Sequence, residues 1–158
     1  MNVQGVMTAK PISCHAATSL HKAAQILALY NCGILPIVNE RRHVFGVVTD
    51  RDLSTALGAQ DSSWRDKTVG EITSGKVHFC RQQDEISTAL QKMAENKVRR
   101  LVVLDDADQL VGVLSMDDVV LFAEEKTGCP DVSANDVLKA LKSICAGTRR
   151  ERVATATR

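Results

Sequence analysis

Aromatic residues make up only 3% of this 158-residue chain. That is poor material for stacking nucleobases on rings, as proteins that grip single strands do. Charge of one sign is lacking too: Lys+Arg 20 stand against Asp+Glu 19, a formal net charge of +1. Nothing in that balance draws the chain towards nucleic acid or an anionic membrane, so neither is the expected partner. No apolar run approaches the ~20 residues that a bilayer span needs. The opening Met1-Asn2-Val3-Gln4-Gly5 lacks a basic stretch followed by an apolar one, so no secretory leader is expected and a cytoplasmic location is the default. Cys14, Cys32, Cys80, Cys129 and Cys145 make an odd count with no Cys-x-x-Cys pair, which points to reduced thiols rather than bridges. His15, His21, His43 and His78 are scattered, with no i,i+4 pair to suggest a metal site. No nucleophile has a base nearby and no Walker-type phosphate loop occurs, so catalysis is not expected. Asp50, Arg51 and Asp117 read as helix-surface charges.

What the chain does have is a repeat. Gly46-Val47-Val48-Thr49-Asp50-Arg51-Asp52-Leu53 is echoed by Gly112-Val113-Leu114-Ser115-Met116-Asp117-Asp118-Val119, an offset of 66 that holds at every position. The same offset aligns residues 69–123 with 3–57 without a gap. Val69 meets Val3, Lys76 meets Lys10, Cys80 meets Cys14 and Leu101 meets Leu35. An internal repeat decides architecture before any single element does.

The motif carries two compatible readings. Gly followed by two aliphatics reads as the end of a buried strand. Thr49 or Ser115 then sits where a helix N-cap belongs, with Asp52 or Asp118 in the first turn, favoured by the helix dipole. The same atoms can serve a ligand. A helix N-terminus with a hydroxyl attracts phosphate, and a carboxylate can accept hydrogen bonds from a vicinal diol.

In chain order, Pro11 to His15 reads as a short strand. Thr18 or Ser19 caps a helix to about Asn31, with Leu20, Ala23, Ala24 and Leu27 on one face. Gly33 is expected to end it. Ile34–Val38 and Val44–Val48 form a hairpin around the polar turn at 39–42. A short helix follows over 50–57. In the second copy Asp84 caps, and Ile86, Ala89, Leu90 and Met93 repeat the apolar spacing. Arg100–Leu104 and Leu110–Leu114 make the second hairpin, and Met116 opens the closing helix to about Glu125. Each unit is thus βαββα, about 55 residues, and marginal alone. The fold expected is α+β: two βαββα repeats packed by pseudo-twofold symmetry, plus a C-terminal helix and tail. The divisions are 1–60, 61–125 and 126–158. Gly58 to Lys67 is the linker; Trp64 in it has packing as its default role. Ser133 caps a last helix whose Val137, Ala140, Leu141, Ile144 and Cys145 share a face. That face docks either on the chain's own core or on a partner. Residues 146–158, with Arg149, Arg150, Arg152 and Arg158, read as a disordered basic tail.

The two Gly-h-h-[Ser/Thr]-x-x-Asp motifs (h, an aliphatic residue), the Val6-Met7-Thr8 lead-in, Leu35-Pro36-Ile37-Val38 and Val98-Arg99-Arg100-Leu101-Val102-Val103 carry a family resemblance. Over about residues 3–125 the chain resembles a tandem pair of cystathionine-β-synthase (CBS) domains, a Bateman module of the stand-alone bacterial type. The resemblance implies a regulatory module that binds AMP, ADP or ATP, or else NAD or S-adenosylmethionine, in clefts between the repeats. It implies Asp52 with Thr49 in one cleft and Asp118 with Ser115 in the other, on ribose and phosphate. It implies Arg99 and Arg100 on phosphates, where the first repeat has Gly33 and Ile34; that departure separates the two clefts in affinity. As neighbours on a strand, the two arginines are expected to face different clefts. It places adenine near Ile12, Cys14, His78 and Cys80. Cys14 and Cys80 are either small apolar filler or a redox-responsive pair. A homodimer forming a flat disc, and signal transduction to a regulated protein of unknown identity, are also implied by the resemblance. The competing expectation is a dimerising scaffold with vestigial clefts.

Overall fold

The computed structural model describes residues 1–59, 64, 66–125 and 133–148. A 3-10 turn at Val3–Gly5 leads into β1 (Thr8–Ala9), α1 (Leu20–Leu29), β2 (Leu35–Val38), β3 (Val44–Val48) and α2 (Asp50–Gly58). The second unit is α3 (Val69–Ile72), β4 (Phe79–Arg81), α4 (Ile86–Asn96), β5 (Arg100–Leu104), β6 (Leu110–Ser115) and α5 (Met116–Glu125). A final helix, α6, spans Ala134–Thr148. The fold is therefore a mixed one of helices and two sheets, as the repeat predicts.

The hairpins keep one frame. Leu35 pairs with Val48 and Leu101 with Leu114, an offset of 66 on both strands. The strand expected at Pro11 to His15 shrinks to one parallel bridge, Cys14 to Ile37. Its counterpart β4 is a full strand, and Cys80 pairs with Val103 in the same register.

The lead-ins exchange. Val3 is fully buried, with Val6 and Met7 beside it, in the second repeat's core against Ile86, Met93 and Leu101. Val69 is fully buried in the first repeat's core against Leu27, Leu35 and Val48. β1 adds to the edge of β6, Thr8 opposite Val113. This crossing explains the motif glycines. A Cβ on Gly46 would lie 2.7 Å from Thr73 Oγ1, and one on Gly112 would meet Met7. Thr73 and Met7 are themselves equivalent by the offset. A division at residue 60 thus separates the repeats in sequence, while each core borrows its first residues from the other.

The expected cap of α1 holds, and other local expectations change. Ser19 caps α1, its Oγ accepting from Lys22 N at 3.2 Å. Asp84 does not cap α4, whose N-cap is Glu85. Asp84 instead accepts from Arg81 N at 3.0 Å and Lys92 Nζ at 2.8 Å. Desolvation raises its pKa, but those bonds and charges outweigh it and hold the carboxyl below its ordinary value. Gly33 does not end α1. The chain turns at Asn31 (φ 47) and at the equivalent Lys97 (φ 55), both left-handed.

α6 lies on the second repeat. Ser133 Oγ accepts from Asp136 N at 3.1 Å. Val137, Ala140 and Ile144 are buried with Leu90, Met93 and Val119, while Cys145 stays exposed. The expected tail after residue 148 lies outside the described residues. No helix among the described residues is long and apolar enough to cross a membrane.

Candidate functional site: two clefts between the repeats

Both motifs close a strand and start a helix in the same geometry. Thr49 N and Oγ1 donate to Asp52 Oδ2 at 2.8 and 2.7 Å, and Asp52 N returns to Thr49 Oγ1 at 3.4 Å. Ser115 N and Oγ donate to Asp118 Oδ2 at 2.8 and 2.7 Å, and Asp118 N returns to Ser115 Oγ at 3.0 Å. These are capping boxes. Thr68 with Glu71 builds a capping box elsewhere, and Ser133 with Asp136 makes a similar side-chain cap at the start of α6. A box alone therefore marks a helix start and no more. What sets Thr49 and Ser115 apart is that each also faces a cleft. One oxygen of each motif carboxylate is committed to its cap. Oδ1 of Asp52 and of Asp118 accepts nothing among the described residues.

The Thr49 cleft holds about 590 Å³ and is walled by Thr49, Asp50 and Arg51 of the first repeat and by His78 and Lys97 to Arg100 of the second. Ile144 of α6 closes one side. The Ser115 cleft holds about 400 Å³. Ser115, Asp117 and Asp118 of the second repeat face Ile12 and Asn31 to Ile34 of the first across it. The offset turns one description into the other: Ile12 becomes His78, and 31–34 become 97–100. Each cleft is thus built from the motif of one repeat and the helix-to-strand turn of the other.

The expected site residues divide on this geometry. Thr49, His78 and Arg99 line the first cleft; Ile12, Ser115 and Asp118 line the second. Asp52 is half-buried behind Thr49 and is not in the wall. Arg100 lines both clefts, so the two arginines do not simply part company. It pairs with Ser115 across the hairpin, which turns its side chain to that face. A Cβ on Gly33 would lie 2.7 Å from the Arg100 guanidinium carbon. Gly33 is there to let that guanidinium lie over the backbone, a role that no helix-stop reading could have found. Cys14 and Cys80 line neither cleft; they belong to the two cores. Burial pushes the Cys14 thiol up to about 11 and Cys80 up to about 12. Both are protonated and poorly reactive at neutral pH, which removes the basis for a cleft redox pair. Burial, helped by Lys76, holds His78 below the ordinary imidazole value despite a bond to Asn96, so it is neutral at pH 7. No group of three or more His, Cys, Asp or Glu suited to a metal occurs among the described residues.

A third hollow of about 600 Å³ runs between α1 and α2, walled by Ala24, Leu27, Ala28, Leu53, Leu57 and Trp64. Sequence reasoning did not anticipate it, because the face looks like ordinary core periodicity.

Two CBS domains match the chain, at residues 3–59 and 69–125, and the chain belongs to the CBS domain family. It is a tandem pair. Similar proteins include CBS domain-containing protein YhcV of Bacillus subtilis, 27% identical over 76% of this chain and 84% of its own length. L-Aspartate semialdehyde sulfurtransferase of Methanocaldococcus jannaschii is 30% identical over 78% of this chain but only 24% of its own. The chain spans about a quarter of several such enzyme relatives. The CBS domain pair of protein MJ0100, in complex with 5'-methylthioadenosine and S-adenosyl-L-methionine, superposes with a TM-score of 0.70 at 30% identity, over 80% of this chain and 98% of that one. CBSX2 in complex with AMP gives 0.70 at 27% identity, over 78% and 96%.

Proposed function

We propose that this chain is a non-catalytic regulatory module. It senses adenosine nucleotides of the AMP, ADP and ATP class in the two clefts and relays a conformational change to a partner. The observation that carries the reading is the match of two clefts to two in-register motifs, each cleft built from both repeats. A ligand touching both walls gains affinity from their spacing, and so it shifts that spacing. The AMP of CBSX2 and the adenosyl ligands of the MJ0100 pair support the ligand class. On this reading the open Oδ1 of Asp52 or Asp118 meets ribose hydroxyls, Thr49 or Ser115 assists, and Arg99 and Arg100 meet phosphate. Asp52 reaches its ligand past Thr49.

The hollow between α1 and α2 supports pairing into a homodimer, and it also favours a second reading, a dimerising scaffold with vestigial clefts. Thermal unfolding with AMP, ADP, ATP, NAD and S-adenosylmethionine separates the two. A ligand at 100 times its dissociation constant adds about 2.7 kcal/mol of apparent stability. The sensor predicts a rise that Asp52→Ala or Asp118→Ala reduces while the fold persists. No rise with any ligand, in nucleotide-free protein, leaves the scaffold.

A further inference from the structure

The clefts are equivalent in position and differ in charge, one cationic and the other balanced. At three pairs of positions 66 residues apart, the side chain facing the cleft changes. Arg51 stands where the second cleft has Asp117, Lys97 where it has Asn31, and Arg99 where it has Gly33. With Arg100 shared, the wall of the Thr49 cleft presents four cations against one carboxylate, Asp50, with Asp52 half-buried behind Thr49. The Ser115 cleft presents Lys10 and Arg100 against Asp117 and Asp118. The ion pairs of the described residues lie elsewhere and engage none of the four cations. Arg51 is in the first turn of α2 and Lys97 is pinned by the left-handed turn after α4, so the charges converge on one cleft from two rigid ends. The Ser115 cleft is also the smaller, about 400 against 590 Å³.

We infer that the clefts divide the ligands by charge. The Thr49 cleft takes an adenosine di- or triphosphate, and the Ser115 cleft takes an adenosyl ligand with one phosphate or none. Each added phosphate meets another unpaired cation in the first cleft, through charge-assisted hydrogen bonds. In the second it meets Asp117 across a confined space, and like charges there repel more strongly than in open water. The division rests on the nucleotide reading proposed above.

The test is isothermal titration of the full chain with ATP, ADP, AMP and adenosine. Wild type is compared with Arg51→Asp and Asp117→Arg, with circular dichroism to verify each fold. Wild type should bind ATP at one tight site. Arg51→Asp should weaken that site by at least about tenfold while leaving adenosine unchanged. Asp117→Arg should create a second ATP site. Two equal ATP sites in wild type overturn the division, as does ATP affinity within about twofold in Arg51→Asp. If no adenosyl ligand binds wild type, the nucleotide reading falls and the division with it. If ligands bind without regard to phosphate number, only the division falls.

Discussion

The two repeats share a frame and differ in their cover. The second has a four-stranded sheet, extended by β1 from the first, and its helical face lies under α6. The first has a two-stranded sheet and one bridge, and no helix among the described residues covers the equivalent helical face, where Leu57 is 55% exposed. The surfaces correspond closely. Leu90, Met93 and Val119 under α6 are the offset partners of Ala24, Leu27 and Leu53 around the open hollow. A duplicated unit has the same apolar face twice, and burying apolar surface is worth roughly 25 cal/mol per Å² each time. Among the described residues, one face is covered within the chain by α6 and the other stays open.

The sharpest way to break that comparison is to remove equal bulk from both faces. Ile144, on the face of α6 that packs against the second repeat, is 1% exposed, so Ile144→Ala should cost about 2–5 kcal/mol in urea unfolding. Leu57→Ala, on the open face, should stay within about 0.5 kcal/mol in dilute solution. Its effect should appear in sedimentation, as loss of a concentration-dependent dimer. Equal losses of stability would mean that the first face is covered after all within the chain.

A smaller effect tests the symmetry of the exchanged lead-ins. Gly46→Ala drives a methyl into Thr73, and Gly112→Ala drives one into Met7. Overpacking of this kind costs about 1–3 kcal/mol. Gly112→Ala should be the milder, because a flexible methionine yields more readily than a threonine whose hydroxyl donates to Val47 O at 3.1 Å. A larger loss in Gly112→Ala would put the firmer crossing on the β1 side.

These crossings also mark the limit of what the sequence discloses. Helices and hairpins were legible because periodicity and turn chemistry are local, and the offset of 66 duplicated every such signal. The partner of a lead-in is not local. Val3 and Val69 have the same apolar neighbours in sequence whichever core they enter. Gly33 read as a helix stop because glycine usually is one, yet Asn31 makes the turn and Gly33 makes room for Arg100. Asp84 read as a cap, but Arg81 and Lys92 compete for its carboxylate. At the clefts, Thr49, Ser115, Asp118 and Arg99 could be found from the motif frame. The charge reversal from Arg51 to Asp117 was in plain view, but it gains meaning only when both are seen to face a cleft.

The smallest effect concerns Cys14 and Cys80, which the frame makes equivalent and the cores do not. Cys14 is 5% exposed beside a single bridge, and Cys80 is fully buried inside β4. Burial raises both thiols, to about 11 and about 12. A folded-state value above the unfolded one adds stability that is complete below the unfolded thiol value and is lost as pH rises through the folded one. Stability should therefore start to fall near pH 9 and keep falling to about 11 for Cys14 and about 12 for Cys80. Cys14→Ala and Cys80→Ala should each flatten that alkaline slope, Cys80→Ala over the wider range. At pH 8, iodoacetamide should label exposed Cys145 quickly and reach Cys80 only through unfolding of its core. Cys14 needs only its bridge region to open, so it should label between them. If Cys14 proves as protected as Cys80, the first repeat is as rigid as the second despite its thinner sheet. In that case α6 confers cover without extra stiffness, and the contrast between the repeats lies in their outer faces alone.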